Sequence, residues 1–257
     1  MRAHLLTLLT TCSAAAILGA NGLEAPIVGN PLWGTSVAMA QSIEDGEAEA
    51  DRLIQQAIEL YQAGNTDDAL ALAERAVDIY HDIGDFSTEI EVLTTMGEVY
   101  YEAGEIDKAL EQGHRVAALY RQLGDIDAEA DVLFTLGQIY LEQDRYGEAA
   151  QVLQQGIELA TSDAGLHVDL LTYGGLAQHF NGNYIVAIEN FQRAIDDIAQ
   201  VPSANPTKVK ENQARLYFFL GGSYIGRIGT EQRYYPEVEP ALEQAIALAQ
   251  EVQDEDL

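Results

Sequence analysis

Residues 80–104 read YHDIGDFSTEIEVLTTMGEVYYEAG and residues 120–144 read YRQLGDIDAEADVLFTLGQIYLEQD. Laid over one another at an offset of 40, they share ten of 25 residues: Tyr80/Tyr120, Gly84/Gly124, Asp85/Asp125, Glu89/Glu129, Val92/Val132, Leu93/Leu133, Thr95/Thr135, Gly97/Gly137, Tyr100/Tyr140 and Glu102/Glu142. A duplication this close is an internal repeat, and it decides the fold before any other feature does. Within it, Leu93, Met96, Gly97 and Tyr100 fall at i, i+3, i+4 and i+7, the stripe of an amphipathic helix. The turn Ala103-Gly104-Glu105 follows, and a second helix runs through Ala109. The unit is helix, short turn, helix, and Gly84 and Gly124 stand where a left-handed residue would end each second helix.

The spacing extends in both directions. A bulky residue recurs at Leu53, Leu93, Leu133, Leu171 and Tyr217, with a small residue four positions on at Ala57, Gly97, Gly137, Gly175 and Gly221. Three positions later come Leu60, Tyr100, Tyr140, Gln178 and Tyr224. On the second helices, Ala69, Ala109, Ala149 and Ala187 mark the close approach, and Ala76, Val116, Gly156, Ala194 and Ala245 sit near the ends. The reason is steric: helix axes about 8–10 Å apart need small side chains at the crossing and large ones in the flanking grooves. Glycine inside a helix costs about 1 kcal/mol relative to Ala, so its recurrence needs such a reason.

These residues resemble the tetratricopeptide repeat (TPR) family, in its bacterial form with a period of about 40 rather than the usual ~34 residues. The resemblance implies an all-α fold, a TPR α-solenoid of about five helix-turn-helix repeats wound as a right-handed superhelix. The expected units are 51–84, 90–124, 130–163, 168–200 and 208–251, within an array spanning 51–252. An acidic linker at 41–50 precedes it and an acidic tail at 253–257 follows. The first unit is degraded, with Gln56 where Leu is expected, as terminal repeats often are. Pro202 and Pro206 mark the loop before the fifth unit, because proline breaks helices. An insertion, Gly226–Pro240, interrupts that unit and carries Tyr234 and Tyr235. It reads as a loop projecting from one face, its tyrosines either a binding anchor or packing for the last helix.

The chain's 13 basic and 42 acidic residues give a net charge of −29. That field repels nucleic acid and anionic lipid and attracts basic ligands. At the N-terminus, Arg2 precedes an uncharged apolar run from Leu5 to Ala20, and the small-residue triplet Ala38-Met39-Ala40 lies just before Gln41. Residues 1–40 read as a secretory signal cleaved after Ala40, which places the product in the periplasm or outside the cell. An uncleaved membrane anchor is the alternative. Cys12, the single cysteine, lies in this leader, so the remainder has no thiol or disulfide chemistry.

In TPR arrays the first helices line a concave groove. Carried over by position, that implies a partner-binding face of Glu91, Glu98, Tyr101, Glu102, Asp131, Phe134, Gln138, Glu142, Asp169, His179, Phe180 and Phe218. Ile54, Ile58, Tyr61, Leu176 and Arg215 belong to the same positions. The groove is acidic with interspersed aromatics, although any one of its carboxylates could equally be a solvated surface charge. The Lys, Arg and Asn clamp that TPR proteins use for a C-terminal carboxylate is missing, Arg215 apart. The expected ligand is therefore a protein or peptide segment with basic and apolar residues. Lys208, Lys210, Arg215, Arg227 and Arg233 form a basic island within residues 208–233, against only Glu211 and Glu231. It reads as local compensation of neighbouring acids or as a second contact surface for another copy, making a homo-oligomer an open alternative.

The sequence lacks the signatures of a catalyst or a metal site. Outside the leader there is no cysteine nucleophile, no phosphate-cradling glycine loop and no Gly-x-Ser-x-Gly elbow. His81, His114, His167 and His179 include no His-x-x-x-His pair, and no loop follows the calcium-binding spacing. The expectation is a non-enzymatic protein without cofactor, metal or small-molecule substrate. A structural, self-associating component of a cell-envelope complex is the alternative to a binding scaffold.

Overall fold

The computed structural model describes residues 31–159, 162–198, 201, 206–231 and 235–255. Among these there are ten helices and no strand. In chain order they are α1 (Pro31–Gln62), α2 (Thr66–Ile83), α3 (Phe86–Glu102), α4 (Ile106–Leu123), α5 (Ile126–Glu142), α6 (Tyr146–Glu158), α7 (Ala164–Phe180), α8 (Tyr184–Ile198), α9 (Pro206–Glu231) and α10 (Val238–Glu255). Ten helices joined by short connections are the all-α pattern expected of TPR-type repeats. The chain divides into two compact units, one ending at Gln112 and the other starting at Gly113, within α4.

Local chemistry sets the helix ends. Gly64, Gly84, Gly104, Gly124 and Gly182 all have positive φ, between 74° and 86°, and each closes a turn that a side chain would strain. Asp144 takes the place of Gly104 one repeat later and adopts φ 57° without glycine's freedom. The next helices start on aspartates: Asp85 accepts from the Thr88 amide, Asp125 from Ala128, and Asp163 from Gly165 and Leu166. Each carboxylate satisfies donors that a helix N-terminus leaves open.

In the first unit α1 packs on α2, burying Leu53 and Ala57 with Ala69, Ala73, Ala76 and Val77. Tyr80 is buried with them, and its hydroxyl donates to Asp51 at 2.7 Å. Residues 41–50, expected as a linker, instead continue α1, and Ala50 is fully buried. Their Glu, Ala and Gln content favours helix as readily as a solvated connector. Ala38, Met39 and Ala40 lie within the same helix, while Cys12 and the rest of residues 1–30 lie outside the described residues.

In the second unit the repeat positions form the core. Leu133, Leu171, Ala149, Ala187 and Ala194 are buried, as are Tyr140 and Tyr224. An added Cβ at Gly137 would stand 2.4 Å from Leu153, and at Gly175 2.6 Å from Phe191, so only glycine fits these crossings. Gly97, in the first unit, differs: an added Cβ would meet nothing nearer than Gln112 at 3.6 Å. The steric reading of the repeat is correct at Gly137 and Gly175 and too strict at Gly97.

Three expected boundaries change. The first helices of units two to four open four residues before the expected starts, each on its aspartate cap. The insertion is partly helix, since α9 continues through Gly226 and Gly229 to Glu231 and α10 starts at Val238. Tyr234 and Arg233 lie outside the described residues, as do Pro202 and residues 256–257, whereas residues 253–255 of the expected tail belong to α10.

Candidate protein-binding surface

The predicted site residues lie on the first helices of their pairs, as their spacing requires. In the first unit Glu91, Glu98, Tyr101 and Glu102 are all exposed along α3, while Val92, Leu93, Met96 and Val99 of the same helix are buried. One face of α3 thus belongs to the core and the other presents three carboxylates and an aromatic ring. Tyr61, at the matching end of α1, is also exposed, with Ile54 and Ile58 half-buried behind it.

In the second unit the residues divide. Asp131, Glu142, Asp169, Phe180 and Phe218 are exposed, and Phe134, Gln138 and His179 are half-buried. Phe134 packs edge-on against Tyr173 of α7, with ring centroids 5.1 Å apart, so its ring already has an intramolecular partner. Phe180 is 55% exposed and stacks on Tyr146 of α6 at 5.1 Å and 27°. The stack presents a flat apolar platform at the C-terminal end of α7. Tyr146 itself donates to Asp144, which the left-handed turn places beside it.

His179 stands next to that platform. Its ring meets Phe180 and Tyr184 edge-on at 5.3 and 5.5 Å, and its Nδ1 lies 2.9 Å from the Ser223 hydroxyl of α9. Ser223 is fully buried and donates to the Phe219 carbonyl, so its oxygen accepts from His179 Nδ1–H. Burial holds the His179 imidazole below its ordinary pKa. This serine is sealed from solvent and serves as a strut between α7 and α9. His114 is built similarly, its Nε2 3.0 Å from the Tyr140 hydroxyl, and burial lowers its pKa too.

Although Asp169 as a residue is exposed, its carboxyl is pushed above the usual range, first by partial desolvation and then by Asp163, with Arg215 and Lys208 opposing. The acidic face at this point therefore adjoins two cations. Phe218 is placed differently from the other predicted aromatics: it lines an open cleft with Ala214 of α9 and Leu242, Ala245, Ile246 and Ala249 of α10. Sequence reasoning missed Tyr146, Tyr173 and Tyr184, the rings that hold Phe180, Phe134 and His179. Tyr184 lay four residues beyond Phe180, but the turn between them breaks the helical spacing. Among the described residues no cluster of three or more His, Cys, Asp or Glu side chains is placed to hold a metal, and no helix is long and apolar enough to cross a membrane.

Residues 88–162 match the sequence model of the tetratricopeptide repeat family. No curated protein matches the chain. Among solved structures it is similar to BtubC from P. vanneervenii, at 15% identity over 88% of this chain and 93% of that one, with a TM-score of 0.53. It is also similar to nearly identical TPR-like repeats from Podosopora anserina, at 18% identity over 80% of this chain and 98% of that one, with a TM-score of 0.51. At these identities the likeness is one of fold, and it is the fold of TPR-type helical repeats.

Proposed function

We propose that this chain is an exported, non-catalytic scaffold that holds a partner polypeptide on the outward faces of its first helices. The observation that carries the reading is the exposure of Tyr101 and Phe180 near the C-terminal ends of α3 and α7, each on a helix whose opposite face is spent on the core. An exposed aromatic ring is a common anchor for a partner, and the carboxylates Glu91, Glu98 and Glu102 around Tyr101 favour a segment carrying Lys or Arg. The net charge of −29 draws such a segment in and disfavours nucleic acid. No cofactor or small-molecule substrate enters this reading.

Export rests on the charge and apolar pattern of residues 1–40, and N-terminal sequencing of the accumulated protein should read from Gln41. A start at Met1 would favour the uncleaved anchor. For the binding face, the test is capture from envelope extracts by the wild-type chain and by the Tyr101→Ala/Phe180→Ala variant. Loss of the captured protein in the variant is expected. Equal capture by both would remove these two surfaces, one in each unit, from the binding reaction.

A further inference from the structure

At the C-terminal end of α7, the His179 imidazole is tied inward through one nitrogen and left open at the other. The ring is half-buried, and its Nδ1 lies 2.9 Å from the Ser223 hydroxyl of α9. Ser223 donates its own proton to the Phe219 carbonyl, so it can only accept from the ring, which fixes the Nδ1–H tautomer. The basic lone pair is therefore on Nε2. Among the described residues Nε2 has no hydrogen-bond partner, yet it is not sealed in the interior as the Asn190 amide nitrogen is.

The surroundings decide what that lone pair can do. Against the ring stand Phe180 of its own helix, Tyr184 of α8, and Ser223 and Gly222 of α9, with Tyr146 of α6 behind Phe180. None of these is a carboxylate or a cation. The charged side chains within about one turn of these contacts are held elsewhere: Arg227 lies over Tyr235, Asp144 is bound by Tyr146, and Arg145 pairs with Glu148. On α8 the first charged residue is the exposed Glu189. A neutral imidazole so placed is an acceptor beside an apolar ring, whereas a protonated one is a donor whose charge has no counterion in contact. The two states select opposite chemistry.

We propose that His179 Nε2 and the Phe180 ring together receive a basic side chain of the bound polypeptide, and that protonation of Nε2 releases it. The N–H group of that side chain donates to Nε2 while its methylene stem lies on Phe180. This inference rests on the binding reading given above and adds its regulation at α7. Burial holds the imidazole below its ordinary pKa, so the acceptor form prevails at neutral pH. Binding is full above about pH 6.5 and is lost as pH falls from there through the lowered value.

Titration calorimetry of the full chain with an end-blocked peptide of alternating Arg and Leu, whose side chains do not titrate, reads the gate between about pH 7.5 and about pH 5. Wild-type affinity should fall about tenfold in acid, through the lost hydrogen bond and the new repulsion. His179→Gln keeps an acceptor but takes no proton, so its affinity should stay level, with circular dichroism confirming the fold at both ends of the range. This variant also accounts for any other titrating group, Asp169 included. If His179→Gln perturbs folding, the wild type alone decides: by reciprocal linkage, bound peptide should move the His179 titration, followed by NMR of the ring, further down. A wild-type affinity that is level or rises in acid, a His179→Gln profile as steep as the wild type, or a His179 titration unmoved by peptide would overturn the gate. Phe180→Ala at the higher pH separates this inference from the reading beneath it. If the peptide fails to bind, or binds that variant equally well, the α7 face itself is lost and the gate with it.

Discussion

The Arg121 guanidinium, at the end of α4, closes over the Glu129 carboxylate in the first turn of α5, with Nε 2.8 Å and Nη2 2.6 Å from the same oxygen. Glu129 is buried at 4% exposure, whereas the Arg121 side chain stays 61% accessible. One repeat earlier the same two positions hold His81 and Glu89, 3.0 Å apart, with Glu89 equally buried. Each pair clips the turn between successive helix pairs, in which Gly84 or Gly124 has already reversed the chain.

Breaking one partner of a fully buried pair costs about 3–5 kcal/mol, because a charge is left dry. Here the arginine side lies in water, so solvent can reach the carboxylate once the side chain is cut back. Arg121→Ala should therefore cost about 1–2 kcal/mol. Urea unfolding should show the loss, and Arg121→Ala/Glu129→Gln should recover much of it. An unchanged midpoint in the single variant would mean that the clip contributes nothing.

The glycines provide a test with opposite signs in one protein. Gly137→Ala would place a methyl 2.4 Å from Leu153, itself fully buried, and should cost about 1–3 kcal/mol through overpacking. Gly97→Ala meets Gln112 at 3.6 Å and the Ala109 carbonyl at 3.7 Å, ordinary contact distances. It should instead gain up to about 1 kcal/mol from helix propensity. Thermal unfolding should move down in the first variant and up in the second. A fall of similar size in both would mean that the crossing at Gly97 is as tight as the one at Gly137.

These two glycines also mark how far the sequence alone could be read. Spacing identified the buried stripe, and the recurring glycines located both the crossings and the left-handed turns at Gly84 and Gly124. It could not say how closely the neighbouring helix approaches: an added Cβ would stand 2.4 Å from Leu153 at one crossing and 3.6 Å from Gln112 at the other. Phe134 escaped for the same reason, since Tyr173 reaches it from a helix more than thirty residues on. The continuation of α1 through residues 41–50 was hidden because acidic helix formers also make good linkers. Gly226 and Gly229 suggested a loop, yet α9 runs through both. An added Cβ at Gly226 would stand 2.4 Å from Tyr184, so this glycine allows close packing on α8. Tyr235 stacks on Tyr224 beneath Arg227, which selects packing over a free binding anchor for that tyrosine.

Acid should weaken the fold through two histidines. Burial lowers the pKa of both His114 and His179, so the unfolded chain takes up protons at these sites before the folded chain does. Stability is then full above the unfolded value of about 6.5 and is lost as pH falls from there through the lowered folded values. His114→Gln and His179→Gln should each flatten the fall in urea midpoint between about pH 7 and about pH 5. A slope as steep in the double variant as in the wild type would assign the acid sensitivity elsewhere.

Binding on the α3 and α7 faces should separate into an electrostatic and an apolar part. Near Tyr101 the carboxylates are exposed, so their attraction for a Lys-rich peptide acts through water and is screened as the Debye length shrinks from about 10 Å at 0.1 M salt to about 3 Å at 1 M. Affinity should drop over that range, chiefly through slower association. Phe180 contributes differently: its ring lies flat on Tyr146, and removing it takes away contact area without changing charge. Phe180→Ala should weaken a peptide bound on α7 by about tenfold at both salt concentrations, with little change in thermal stability because the ring is 55% exposed. Titration calorimetry of wild type and variant at the two ionic strengths measures both parts. Salt-independent affinity would remove the carboxylates from recognition, and a silent Phe180→Ala would remove the aromatic platform.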